Sequence, residues 1–238
     1  MKIKLTDADG YTRRGEDNET LWGEGIGHTA MGKGRELCTS DVIHYYDSVE
    51  EAVMYNPVHA CISNPVAWEC GGRMAAHDGA KGGCKTLTTI RRVPLPELTI
   101  EQRIKVAIYC ALEVCNSPDF VRWANAWLIG ADRSGEAAQA AVSAARATGA
   151  AAWAGRAAWA GRAAAWAGRA AALAGRAAAR AAWAAARAAR GGLSAAWEAV
   201  SAAGAAECDA GVAACEAAYG GVNVRAIIRR VIDETDDI

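Results

Sequence analysis

Along the first hundred residues the apolar positions fall in short β-prone runs cut by turn residues; beyond Pro96 they recur at helical spacing. Lys2–Leu5 predicts a short strand and Asp9-Gly10 a turn after it. Val42–Tyr46 predicts another strand. Ser48 followed by Glu51 has the spacing of a capping box, in which hydroxyl and carboxylate each take an orphan N–H, so a helix with Val49, Ala52 and Val53 on its apolar face is expected. Asn56-Pro57 predicts its end, because the residue before a proline is pushed out of the α region. Val58–Ile62 then predicts a strand, so Leu37–Ile62 is expected to run strand, helix, strand. Val66–Cys70 predicts a strand closed by Gly71-Gly72, Asp78-Gly79 a turn, and Lys85–Val93 a further strand. Together these make a strand-rich α+β domain over residues 1–98.

Thr99 and Gln102 form a second capping-box pattern, opening a helix with Ile104, Ala107, Ile108, Ala111, Leu112 and Cys115 at apolar positions. Ser117-Pro118 predicts the next helix, with Phe120, Val121, Trp123, Trp127 and Leu128 on its apolar side and Gly130 at its end. Residues 99–134 are therefore expected to be a helical hairpin connecting to an all-α, alanine-rich tail over 135–238. That tail repeats Trp-Ala-Gly-Arg at Trp153, Trp159 and Trp166, then Leu-Ala-Gly-Arg at Leu173. Alanine and arginine are strong helix formers. At 100° per residue Trp159, Trp166 and Leu173 share one stripe, with Gly161, Gly168 and Gly175 on the opposite, nearly smooth face. An unbroken helix through this tract would be about 80 Å long, so breaks are expected near Gly149 and Gly191. Leu193–Tyr219 would then return with Glu198, Glu207, Asp209 and Glu216 facing the arginines. Val224, Ile227, Ile228, Val231 and Ile232 predict a last helix.

Charge changes how the tail is read. Residues 136–197 carry 8 Arg against 1 Glu, whereas residues 198–238 carry 3 Arg against 8 Asp and Glu. A basic block followed by an acidic one is self-complementary, which disfavours nucleic acid as the partner of the arginines. Helix packing and self-association through Trp153, Trp159, Trp166, Leu173 and Trp183 are expected instead. An arginine every few residues also argues against a membrane span. Met1–Gly10 has no apolar run of the secretory kind, and the eight cysteines form no C-x-x-C pair, so reduced thiols and a cytoplasmic location are expected.

Candidate chemistry is sparse. The glycine-rich stretch Gly23–Gly34 lacks the G-K-[ST] ending of a phosphate loop and reads as an irregular loop or bulged hairpin. His44 and His59 with Cys38 and Cys61 match no zinc spacing, so neither metal nor cofactor is expected. The richest set of polar and aromatic groups is Trp22, Glu24, His28, His44, Tyr46, Asn56 and His59, which are the candidates for a ligand pocket.

The segments W-G-E-G (22–25), L-C (37–38), H-Y-Y (44–46), N-P-V-H-A (56–60) and L-T-T-I-R-R-V-P-L-P (87–96) resemble a family of uncharacterised proteins encoded largely by bacteriophages. In that family such a domain precedes an alanine-rich tail of variable length. The resemblance implies a viral or prophage origin, the cytoplasm of a bacterial host, and no known activity. The expected function is that of a non-enzymatic, oligomeric phage-type protein that binds a small ligand or a host protein, with counter-defence as one role. A weaker resemblance is to the ADP-ribosyltransferase fold. It would make the chain an enzyme, with His44, Tyr46 and Glu69 as the catalytic candidates.

Overall fold

The computed structural model describes residues 1–113, 115, 117–151, 194–219 and 221–236. The chain divides into two compact units, Met1–Glu97 and Leu98–Ile238. The first is strand-rich with one helix and the described part of the second is helical, so the fold is mixed α+β.

Unit one is built on β1 (Lys2–Thr6). Its far side is β6 (Val66–Gly71), antiparallel, with Lys2 opposite Cys70 and Thr6 opposite Val66. β6 pairs in turn with β9 (Thr86–Val93), and β9 with β4 (Gly27–Thr29). On its other edge β1 meets the end of β5 (Ile43–Tyr45), where Ile3 and Tyr46 exchange both backbone hydrogen bonds at 2.8 and 2.9 Å. β5 continues to β8 (Gly82–Cys84) and β7 (Met74–His77). The result is one curled antiparallel sheet with β1 near its middle, while β2 (Tyr11–Thr12) and β3 (Thr20–Leu21) form a short separate hairpin. The core of the curl is Trp22, Tyr45, Trp68, Cys70, Cys84 and Leu87. Its tryptophan N–H groups are satisfied inside: Trp68 Nε1 donates to Thr6 Oγ1 and Trp22 Nε1 to Thr12 Oγ1, each at 3.1 Å.

α1 spans Val49–His59. Ser48 caps it as the spacing predicts, taking the Glu51 N–H at 3.2 Å. Two expectations for this region are overturned. Pro57 lies inside the helix rather than ending it, and Val58–Ile62 is not a strand. The reason is Asn56. Its carbonyl accepts from the N–H groups of Ala60 and Cys61, and its side-chain amide makes a two-way bond with the Ile62 backbone at 2.9 and 3.1 Å. The Asn56 carbonyl thus closes the final turn that proline weakens, and its side chain holds Ile62 in a loop.

β7 and β8 carry no β-branched run, which is why their sequence does not announce them. Gly82 and Gly83 are used because neighbours occupy the space of a side chain. A Cβ on Gly82 would run into the Tyr45 ring, and one on Gly83 would lie 2.6 Å from Val42 Cγ2.

In unit two, α2 (Ile100–Leu112) opens with a complete capping box between Thr99 and Gln102. α3 (Pro118–Leu128) starts at proline and is followed by Gly130 at φ +75°. α4 covers Gly135–Ala151 and passes through Gly149, where a break was expected. α5 (Ser194–Tyr219) and α6 (Val224–Asp236) follow. α2 packs on both α5 and α6. Ala206, Ala210, Ala213, Ala214 and Ala217 are fully buried on α5, so its alanines make a close-packed face there. Glu207 lies 3.9 Å from Arg103 of α2. The expected Trp and Leu stripe, the break near 191 and the arginines of the repeat lie outside the described residues. No helix among the described residues is long and apolar enough to cross a membrane.

Gly82→Ala should cost at least about 2 kcal/mol in urea unfolding, because Tyr45 is 2 % exposed and has nowhere to move. An unchanged midpoint would show that the Tyr45 packing is not rigid.

Candidate functional site

A cavity of about 320 Å³ opens beside β1. Its wall is assembled from six separate stretches. β1 supplies Lys4 and Leu5, the hairpin Thr12 and Arg13 with Glu16 beyond them, and the loop before β5 Cys38. The β5 segment supplies His44 and Tyr46, the end of α1 His59 with Ala60 and Ile62, and the turn before β8 Lys81.

Lys4 is a half-buried residue of the wall. Its ammonium donates to the His44 carbonyl at 3.2 Å and lies 5.2 Å from the centre of the Trp22 ring. Burial pushes its pKa down to about 8, with Cys70 pulling the other way and Arg13 adding to the fall. At neutral pH it still carries its proton. His44 Nε2 accepts the Cys38 backbone N–H at 2.9 Å, which leaves the ring proton on Nδ1. Burial, with Lys4 and Lys81 nearby, holds His44 down at about 4. His59 is held at about 4 by burial and Lys81 in the same way. Its ring is parallel to that of Tyr46, interplanar angle 5° at 6.0 Å, with Tyr55 behind at 5.5 Å. Both imidazoles are therefore neutral at pH 7. The wall then carries Lys4, Arg13 and Lys81 against the single carboxylate of Glu16, and Arg13 and Glu16 face each other at 3.1 Å.

The backbone around the cavity is strained. Arg13, Cys38 and Cys61 adopt left-handed conformations at φ +55°, +62° and +51°. Two of them line the cavity and the third lies between the lining residues Ala60 and Ile62. Each costs about 1 kcal/mol or more in a non-glycine residue. Such strain collects where a fold holds a functional wall in place.

Of the pocket residues expected from sequence, the structure brings together His44, Tyr46 and His59. Trp22 is a core residue, 4 % exposed, with His28 edge-on to it at 4.6 Å. His28 Nε2 bonds the Leu21 carbonyl, Glu24 is exposed on a turn, and Asn56 closes α1; none of them lines the cavity. Glu69 pairs with Arg91 at 2.7 Å and does not line it either. Sequence reasoning missed Lys4, Thr12, Arg13, Glu16 and Lys81. The one signal for them was a lysine inside a predicted strand, since the others come from turns that only the fold converges. Among the described residues no group of three or more His, Cys, Asp or Glu side chains is placed to hold a metal ion.

No family model, no curated protein and no solved structure matches this chain.

The histidines set an acid limit. A free imidazole titrates near 6.5, whereas His44 and His59 bind their protons near 4, so the native state holds fewer protons than the unfolded chain between those values. Stability should be full above pH 6.5 and fall as the pH drops towards 4, by about 1–2 kcal/mol for each imidazole once solvent screening is allowed for. Urea melts at pH 7 and pH 4.5 check this; His44→Gln with His59→Gln should flatten the slope, and an equally steep loss in that variant would contradict the assignment.

Proposed function

We propose that the first unit is a non-enzymatic binding module for a small anionic ligand. One observation carries the reading: a cavity bordered by left-handed, non-glycine backbone has three cationic side chains and one carboxylate on its wall. Two neutral imidazoles add hydrogen-bonding capacity without adding charge that must be desolvated. The cavity is at the small end of the range for small-molecule sites. The resemblance to phage-encoded proteins supports reading such a module as one that acts in an infected bacterium by holding a host metabolite or signal, as a form of counter-defence. An ADP-ribosyltransferase activity draws no support from Glu69, whose carboxylate is engaged with Arg91 away from the cavity wall. On the sequence pattern alone, we also propose self-association through Trp153, Trp159, Trp166, Leu173 and Trp183.

Calorimetry with inorganic pyrophosphate tests the pocket. Saturable binding is expected at pH 7, weakened at least tenfold in Lys4→Met with Lys81→Met, and weakened above pH 8 as Lys4 loses its proton. Absence of saturable binding, or equal binding by the double variant, would overturn the reading. Light scattering tests assembly: the wild type should exceed the 24.8 kDa of one chain, and Trp159→Ala with Trp166→Ala should bring the mass down to it. A monomeric wild type, or an unchanged oligomer in the variant, would contradict it.

A further inference from the structure

We infer that the anion taken by this cavity is a nucleoside monophosphate, its base against the Tyr46–His59 ledge and its phosphate among Lys4, Arg13 and Lys81. This rests on the anion-binding reading and narrows it to a ligand class.

The wall carries two kinds of group. Lys4, Arg13 and Lys81 are cationic. His59 and Tyr46 are flat rings that lie parallel, interplanar angle 5°, and Tyr55 packs near both. Lys81 is close enough to His59 to act on its charge. A bare phosphate or carboxylate uses only the cations. A ligand that satisfies both kinds must carry a flat ring next to a compact anionic group, and a nucleoside monophosphate has that construction. The stacked rings are held in place: Tyr55, which packs near both, is fully buried, and the Tyr46 backbone is tied to Ile3 in both directions. The ledge therefore exists before any ligand arrives, and stacking on it costs little ordering. His59 is neutral at pH 7, so its ring face suits an uncharged base. The His44 proton on Nδ1 gives the cavity a neutral donor for a sugar or a base edge. A cavity of about 320 Å³ suits one nucleotide better than two.

Calorimetry on the full chain at pH 7 with inorganic phosphate, adenosine, adenosine monophosphate and a single-stranded 12-mer tests this. The monophosphate should bind at least tenfold more tightly than phosphate, the gain that stacking one base supplies. His59→Phe should keep that ratio and His59→Ala should reduce it towards one. A monophosphate no tighter than phosphate overturns the inference while leaving the anion site intact. Failure of both ligands removes the anion site as well. An unchanged ratio in His59→Ala overturns the ledge as the base's contact, and tighter binding of the 12-mer overturns a free nucleotide as the ligand. Adenosine binding as tightly as its monophosphate overturns the role given to the cations.

Discussion

Strand β1 is hydrogen-bonded on both edges, to β6 along its whole length and to the end of β5 through Ile3 and Tyr46. Everything else in the first unit follows from that position. A strand in an antiparallel sheet can pack one face on a core, and Ile3 and Leu5 are accordingly enclosed on one face. The alternate face carries Lys2 and Lys4, which do not simply reach solvent. Lys2 lies over the Tyr45 ring and Lys4 over Trp22, each about 5 Å from the ring centre. An aromatic face replaces part of the water each ammonium gives up, and Lys4 also has the His44 carbonyl. The exchange is incomplete at Lys4, which is why its pKa falls to about 8.

The cavity is the consequence. Tyr46 is fixed by its bond to β1, and α1 begins three residues later, so His59 is carried back over Tyr46 at the helix end. Pro57 does not prevent this because the Asn56 carbonyl supplies the hydrogen bonds of the last turn. The hairpin and the loop before β5 complete the wall only by placing Arg13 and Cys38 in left-handed backbone. In exchange for that strain, cations and imidazoles from distant stretches share one space, and burial, with the cations adding to it, keeps the imidazoles unprotonated.

Much of the architecture could be read from local patterns. The Ser48 cap, the Thr99–Gln102 capping box, the Ser117-Pro118 start and the runs that became β1, β5, β6 and β9 all depend on near neighbours. What failed was decided by tertiary structure. Val58–Ile62 has the composition of a strand, yet one asparagine side chain holds its end in a loop. Gly82 and Gly83 look like linker and are a strand, because Tyr45 and Val42 leave room for nothing larger. The site was half legible. His44, Tyr46 and His59 stood out as rare polar and aromatic residues within one segment, whereas Arg13 and Lys81 are ordinary turn residues until the sheet curls. Trp22 and His28 drew notice for the same reason as His44, but Trp22 belongs to the core cluster and His28 packs edge-on against it.

The central claim is that β1 holds the Lys4 ammonium in a place where water cannot fully solvate it. Reductive ¹³C-methylation of the lysines, followed by NMR titration with Lys4→Arg to assign the resonance, measures this directly. The account predicts one lysine titrating near 8, absent from the variant. A Lys4 resonance that titrates near 10.5, like a lysine in water, would contradict it.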